Sequence, residues 1–124
     1  MNYNIKLQAE KFVRAMENKN IEEVSSLLAN DVVFEDVPMG AHHGKEAAVN
    51  KVTNFFSQAE SMKWDIQRFI ASGNTVFIER TNHVILNNKN IKLPMLVILE
   101  FNEQGLIKIF KDYFDLKTLE NQLN

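Results

Sequence analysis

The chain has 124 residues, 45% of them hydrophobic and 24% charged, with a net charge of −2; this suits one globular domain over residues 1–124 with a single sizeable core. Cysteine is absent, which excludes disulfides, thiolate catalysis and Cys-based zinc sites and is in keeping with a reducing cytoplasm. No segment mixes clustered Lys or Arg with aromatics, and none reaches the ~18 apolar residues of a membrane span, so neither nucleic acid nor a membrane is an expected partner.

In chain order, Ile5, Phe12, Val13 and Met16 fall at helical spacing and predict an amphipathic helix from about Ile5 to Asn18. The stretch from Met1 to Glu10 lacks the continuous apolar core of a signal peptide. Asn18-Lys19-Asn20 breaks the helix, and Ile21, Val24, Leu27 and Leu28 define a shorter second one. Val32 to Val37 is β-branched and aromatic enough for a strand. Pro38, Gly40 and Gly44 predict a loop, after which Ala48, Val49, Val52, Phe55 and Phe56 mark a third helix from Lys45.

Beyond that helix the apolar period changes to two. Met62 to Ala71, Thr75 to Leu86, Ile91 to Phe101 and Leu106 to Phe114 are four strand candidates. Short turn-like separators, such as Ser72-Gly73-Asn74 and Asn87-Asn88-Lys89-Asn90, predict an antiparallel meander. Leu116, Leu119 and Leu123 suggest a closing helix, with Asp115 as its N-cap.

Alternation assigns side chains to faces, because successive strand residues point in opposite directions. Asp36 shares a face with Val32 and Phe34. Arg80 and Asn82 share one with Val76, Ile78, Val84 and Leu86, and Asp112 lies between Phe110 and Phe114 on another. Each is an apolar row carrying polar groups, which are costly there unless paired or functional. Asp36 alone reads more readily as a strand-end cap or a solvated rim residue, and Arg80 with Asp112 has a structural buried ion pair as its alternative. Taken together, the four converge as the polar groups of a pocket for a small apolar molecule. Trp64, on a face with Met62 and Ile66, reads as core or pocket wall. His42 and His43 have no spaced partners for a metal, and His83 falls on the face opposite Arg80.

The run Phe110-Lys111-Asp112-Tyr113-Phe114-Asp115-Leu116 resembles the ending of the limonene epoxide hydrolases, and Glu79-Arg80-Thr81-Asn82 resembles their Glu-Arg-x-Asp strand. These enzymes belong to the nuclear-transport-factor-2-like superfamily. The resemblance implies an α+β, cone-shaped domain: a curved antiparallel sheet wrapped by N-terminal helices, as in a cystatin-like roll. It also implies cofactor-free chemistry, with Asp112 activating water and Arg80 bridging two carboxylates. Asn82 stands at the position of the acid, and an amide delivers no proton. Phe34 and Asp36 stand at the Tyr and Asn positions, so ordinary limonene-type epoxide hydrolysis is not expected.

Phe34-Glu35-Asp36 is similar to the ketosteroid isomerases, in which the matching Asp is the base; their oxyanion donors fall near Phe12 and Val97 here. Polyketide-cyclase-like (SnoaL-like) proteins of the superfamily offer a third analogy. The resulting expectation is a cofactor-free acid/base enzyme on a small apolar or polycyclic substrate. Asp112 or Asp36 is its base, Arg80 and Asn82 assist, and Phe34, Phe12, Trp64, Val97, Phe110 and Phe114 form the substrate wall. The alternative is a non-catalytic binding or dimerisation domain that kept the cavity. A homodimer through the outer sheet face is expected, because superfamily members often pair there and Phe77, Glu79, Thr81, His83 and Ile85 mix apolar with polar groups.

Overall fold

Helices gather on one side of a six-stranded sheet in the computed structural model of the chain, which describes residues 4–124. Met1 to Tyr3, the start of the segment read for a signal peptide, lie outside the described residues. Helix α1 (Ile5–Glu17) begins at Asn4, whose side chain accepts from the Leu7 N–H at 3.2 Å. Its Ile5, Ala9, Phe12, Val13 and Met16 are buried at helical spacing, so one stripe faces the sheet. Lys19, at φ 54, turns the chain into α2 (Ile21–Leu27), capped by Asn20. The third helix, α3, spans Lys45–Gln58.

Strand β1 (Leu28–Asp36) starts earlier than expected, and a register irregularity between Leu28 and Val33 interrupts its alternation. The predicted loop at Pro38–Gly44 instead contains β2 (Gly40–His43), an edge strand antiparallel to β1. Its Gly and His content carries little strand propensity; pairing with Val33 to Asp36 supplies what local preference does not. The remaining strands are β3 (Ala59–Ser72), β4 (Thr75–Leu86), β5 (Lys89–Phe101) and β6 (Ile107–Tyr113), the expected meander. Asn87 and Asn88, both at positive φ, form the two-residue turn that joins β4 to β5.

The sheet order is β2-β1-β6-β5-β4-β3. All neighbours are antiparallel except β1 and β6, which pair in parallel. The sheet is therefore curved and unclosed, with β2 and β3 as its edges. Helix α4 (Leu116–Leu123) is capped by Asp115 as expected and lies against β5, where Gln122 bonds both backbone groups of Lys92 at 2.7 Å. The core fills the space between α1, α3 and the inner sheet face, with Phe12, Phe101 and Phe110 its largest fully buried side chains.

Candidate functional site

The inward row of β4 runs Val76, Ile78, Arg80, Asn82 and Val84, all buried, with Arg80 2% and Asn82 7% exposed. Asp112 on β6 is 5% exposed, and its Oδ1 accepts from the Arg80 guanidinium at 3.0 Å. Strand β5 separates the two, with Met95 beside Arg80 and Val97 beside Asp112. The long Arg side chain therefore crosses over β5 to reach its partner. On its other flank the guanidinium lies over the Trp64 ring, 3.6 Å from the ring centroid.

Parallel pairing of β1 with β6 completes the group. It places Asp36 in register with Asp112, and Phe34 with Phe110, so two carboxylates and two rings form adjacent cross-strand pairs. The rings stack at 4.3 Å with an interplanar angle of 14°. Asp36, Arg80, Asn82 and Asp112 all line one cavity of about 260 Å³, together with Phe34, Trp64, Phe110 and Phe114. That volume is near the lower end of ligand pockets, about 300–1,000 Å³, so the cavity suits a small molecule.

Burial in this apolar setting, reinforced by the Asp112 charge, raises the Asp36 pKa from 3.8 to about 6, against the opposing pull of Lys51 and Arg80. Burial pushes Asp112 up as well, opposed by the charge and hydrogen bond of Arg80. Neighbouring carboxylates titrate as a pair. The direct guanidinium contact favours the charge on Asp112, which leaves the shared proton to Asp36.

Two expected wall residues lie elsewhere. Phe12 and Val97 are each 0% exposed and belong to the core, outside the cavity lining. Phe12 sits behind the aromatic wall, edge-on to Phe110 at 5.0 Å and to Trp64 at 6.4 Å. Val97 is closed off because the Arg80 side chain crosses its strand. Ile66, assigned to the face of Trp64, is 38% exposed, since β3 is an edge strand with a register shift just beyond it. His42 packs its ring 6.1 Å from Phe34, His43 is exposed, and neither lines the cavity. Among the described residues no three His, Cys, Asp or Glu side chains gather to hold a metal ion.

The structure adds residues that sequence reasoning missed. Lys51, Phe55 and Gln58 of α3 line the cavity, as do Leu119 and Leu123 of α4. Their signal was present in the i, i+4, i+7 spacing of the first three, which defines a second helix face beside the core stripe.

The sequence profile of the SnoaL-like domain family matches residues 9–110. The chain is 25% identical over 107 residues to epoxide hydrolase EphG of Mycobacterium tuberculosis, covering 86% of this chain and 70% of that protein. Among solved structures, an LEH-like epoxide hydrolase of M. tuberculosis superposes with a TM-score of 0.83 at 24% identity, over 96% of this chain and 91% of that one. A protein from Catenulispora acidiphila with a ketosteroid isomerase-like fold, in complex with trimethylamine, gives 0.82 at 19% identity over 93% and 90%. These likenesses bear on the fold: helices against a curved, open sheet are what the sequence resemblance implied.

Proposed function

This chain belongs to the SnoaL-like domain family, and from that premise we propose that its pocket is a cofactor-free acid/base site acting on a small, largely apolar molecule with a proton-accepting oxygen. The observation that carries this reading is the pair of carboxylates in register on β1 and β6, one bonded to Arg80 and the other with a pKa of about 6. Asp112 takes a proton from water or from an acidic carbon. Asp36 donates its proton to the substrate oxygen, a ketone or an epoxide. This role replaces the acid that Asn82 cannot be, and it comes from a different strand. Asn82 and Arg80 orient the reacting groups.

The test is turnover of two panels: diol formation from small cyclic epoxides, and deuterium exchange at enolisable cyclic ketones. Activity should descend as pH rises through about 6, because the donor form of Asp36 is lost there. Asp36→Asn and Asp112→Asn should each lower it by about 100- to 10,000-fold. Limonene-type epoxides should be poor substrates, since the groups at residues 34, 36 and 82 differ from those of the hydrolases. Turnover insensitive to both substitutions would remove the carboxylates from the mechanism. The rival, a non-catalytic binding domain, draws support from the closed Arg80–Asp112 pair, and binding of both panels without any turnover would favour it.

A homodimer through the outer sheet face is part of the same proposal. Phe77, Thr81, His83 and Ile85 are half-buried there, and Leu96 and Tyr113, flanking on β5 and β6, are exposed. Sedimentation should show dimers at micromolar concentration; monomers alone would refute the pairing. No helix among the described residues is long and apolar enough to cross a membrane.

A further inference from the structure

Three buried polar atoms have no hydrogen-bond partner among the described residues: Trp64 Nε1, Arg80 Nε and Asn82 Oδ1. Buried polar groups are nearly always paired, so each such atom needs an explanation. Their placement supplies one, since all three residues line the cavity. Trp64 and Asn82 are register partners across β3 and β4, so their side chains leave the sheet side by side on the same face. The Arg80 guanidinium, stacked on the Trp64 indole, belongs to the same wall. Trp64 is only 4% exposed, as closed to bulk water as Arg80 and Asn82.

The donor and acceptor content of this wall is specific. The indole N–H donates only, and the unpartnered atom of Asn82 is Oδ1, an acceptor. A ligand group that satisfies the two together must accept from Trp64 and donate to Asn82. A hydroxyl does both from one atom, a carbonyl only accepts, and a halogen or methyl group does neither. We propose that Trp64 and Asn82 form a hydroxyl-binding subsite, so that the pocket's ligand is an apolar alcohol whose hydroxyl these two side chains orient in the cavity they share with Asp36 and Asp112. The inference rests on the proposed function only in taking the same cavity as the ligand site, and it names the substrate class for that site.

Trp64 is the only tryptophan of the chain, so its indole N–H gives a single, assignable nitrogen–proton resonance. The experiment titrates cyclohexanol, cyclohexanone and chlorocyclohexane into the Asp36→Asn protein, in which the acid/base step is removed and only binding is read. Cyclohexanol should bind about tenfold tighter than chlorocyclohexane, as expected for two added hydrogen bonds of modest net strength, with cyclohexanone between them. The indole N–H should move downfield with the alcohol and stay in place with the chloride. Trp64→Phe keeps a ring under Arg80, and both it and Asn82→Leu should bring the preference close to one. Should either variant fail to fold, the indole resonance of the Asp36→Asn protein decides alone. Equal binding of alcohol and chloride, an unmoved indole N–H, or no binding of the alcohol at millimolar concentration would overturn the subsite. A retained preference here, together with no turnover of either panel by the wild-type protein, would instead remove the catalytic reading and leave the subsite standing.

Discussion

Replacing Arg80 by Met lowers stability near neutral pH by about 3–5 kcal/mol, and adding Asp112→Leu restores most of the loss. The reason is the asymmetry of buried charge. Arg80 and Asp112 are almost wholly removed from water and joined at 3.0 Å, so removing one partner strands the other. Removing both substitutes apolar groups in an apolar cavity, which is often neutral for stability. The single variant should also recover on acidification, because a buried carboxylate without its guanidinium escapes the penalty by taking up a proton. Urea denaturation of the wild type, the single variant and the double variant at two pH values measures all three effects. A loss below about 1 kcal/mol for the single variant would mean that the pair is solvated rather than buried. A stable double variant that still turns over substrate would leave the pair without a catalytic role.

Asp36→Asn should stabilise the protein above pH 6 while weakening its chemistry. The folded-state pKa of Asp36 is raised from 3.8 to about 6, so the folded protein binds that proton more tightly than the unfolded chain does. Its favourable contribution is fully present below 3.8 and is lost as pH rises through about 6. Above that window the ionised carboxylate carries the full penalty of burial beside Asp112. At about 1.4 kcal/mol per pH unit this amounts to about 3 kcal/mol. The amide does not titrate and escapes it. The stability gap between variant and wild type should therefore be near zero at pH 4, open through the window, and level off by pH 7.5. Equal gaps at pH 4 and pH 7.5 would show that Asp36 is not desolvated in the folded state. A gain in stability joined to a loss of turnover would mark Asp36 as a residue whose strain serves the reaction.

Much of the site was legible because strand geometry is local. Arg80 and Asn82 lie two apart in a run of β-branched and apolar residues, and alternation alone sets them on the buried row of β4. The same rule places Asp112 between Phe110 and Phe114, and all three line the cavity. The helix stripes and the Asp115 cap were likewise local signals. Alternation fails where pairing is irregular: the register shift beyond Ile66 left that residue exposed, and another near the start of β1 obscured where that strand begins. Strand β2 was missed because nothing in Gly40 to His43 prefers a strand until β1 is beside it.

Local sequence settles the side of each element on which a group stands. It thereby puts Asp36, Arg80, Asn82 and Asp112 each on an apolar row of its own strand, since the periods of strand and helix depend only on the backbone. Which strands become neighbours, and how deep each side chain lies, is settled only once the layers pack. The parallel pairing of β1 with β6 joins segments far apart in the chain, and no local pattern encodes it; it alone sets Asp36 beside Asp112, whose charge adds to burial in raising the Asp36 pKa. The crossing of Arg80 over β5 closes Val97 away, and the aromatic wall in front of Phe12 does the same. Depth depends on what packs above a residue, and that is a property of the assembled layers rather than of any one of them.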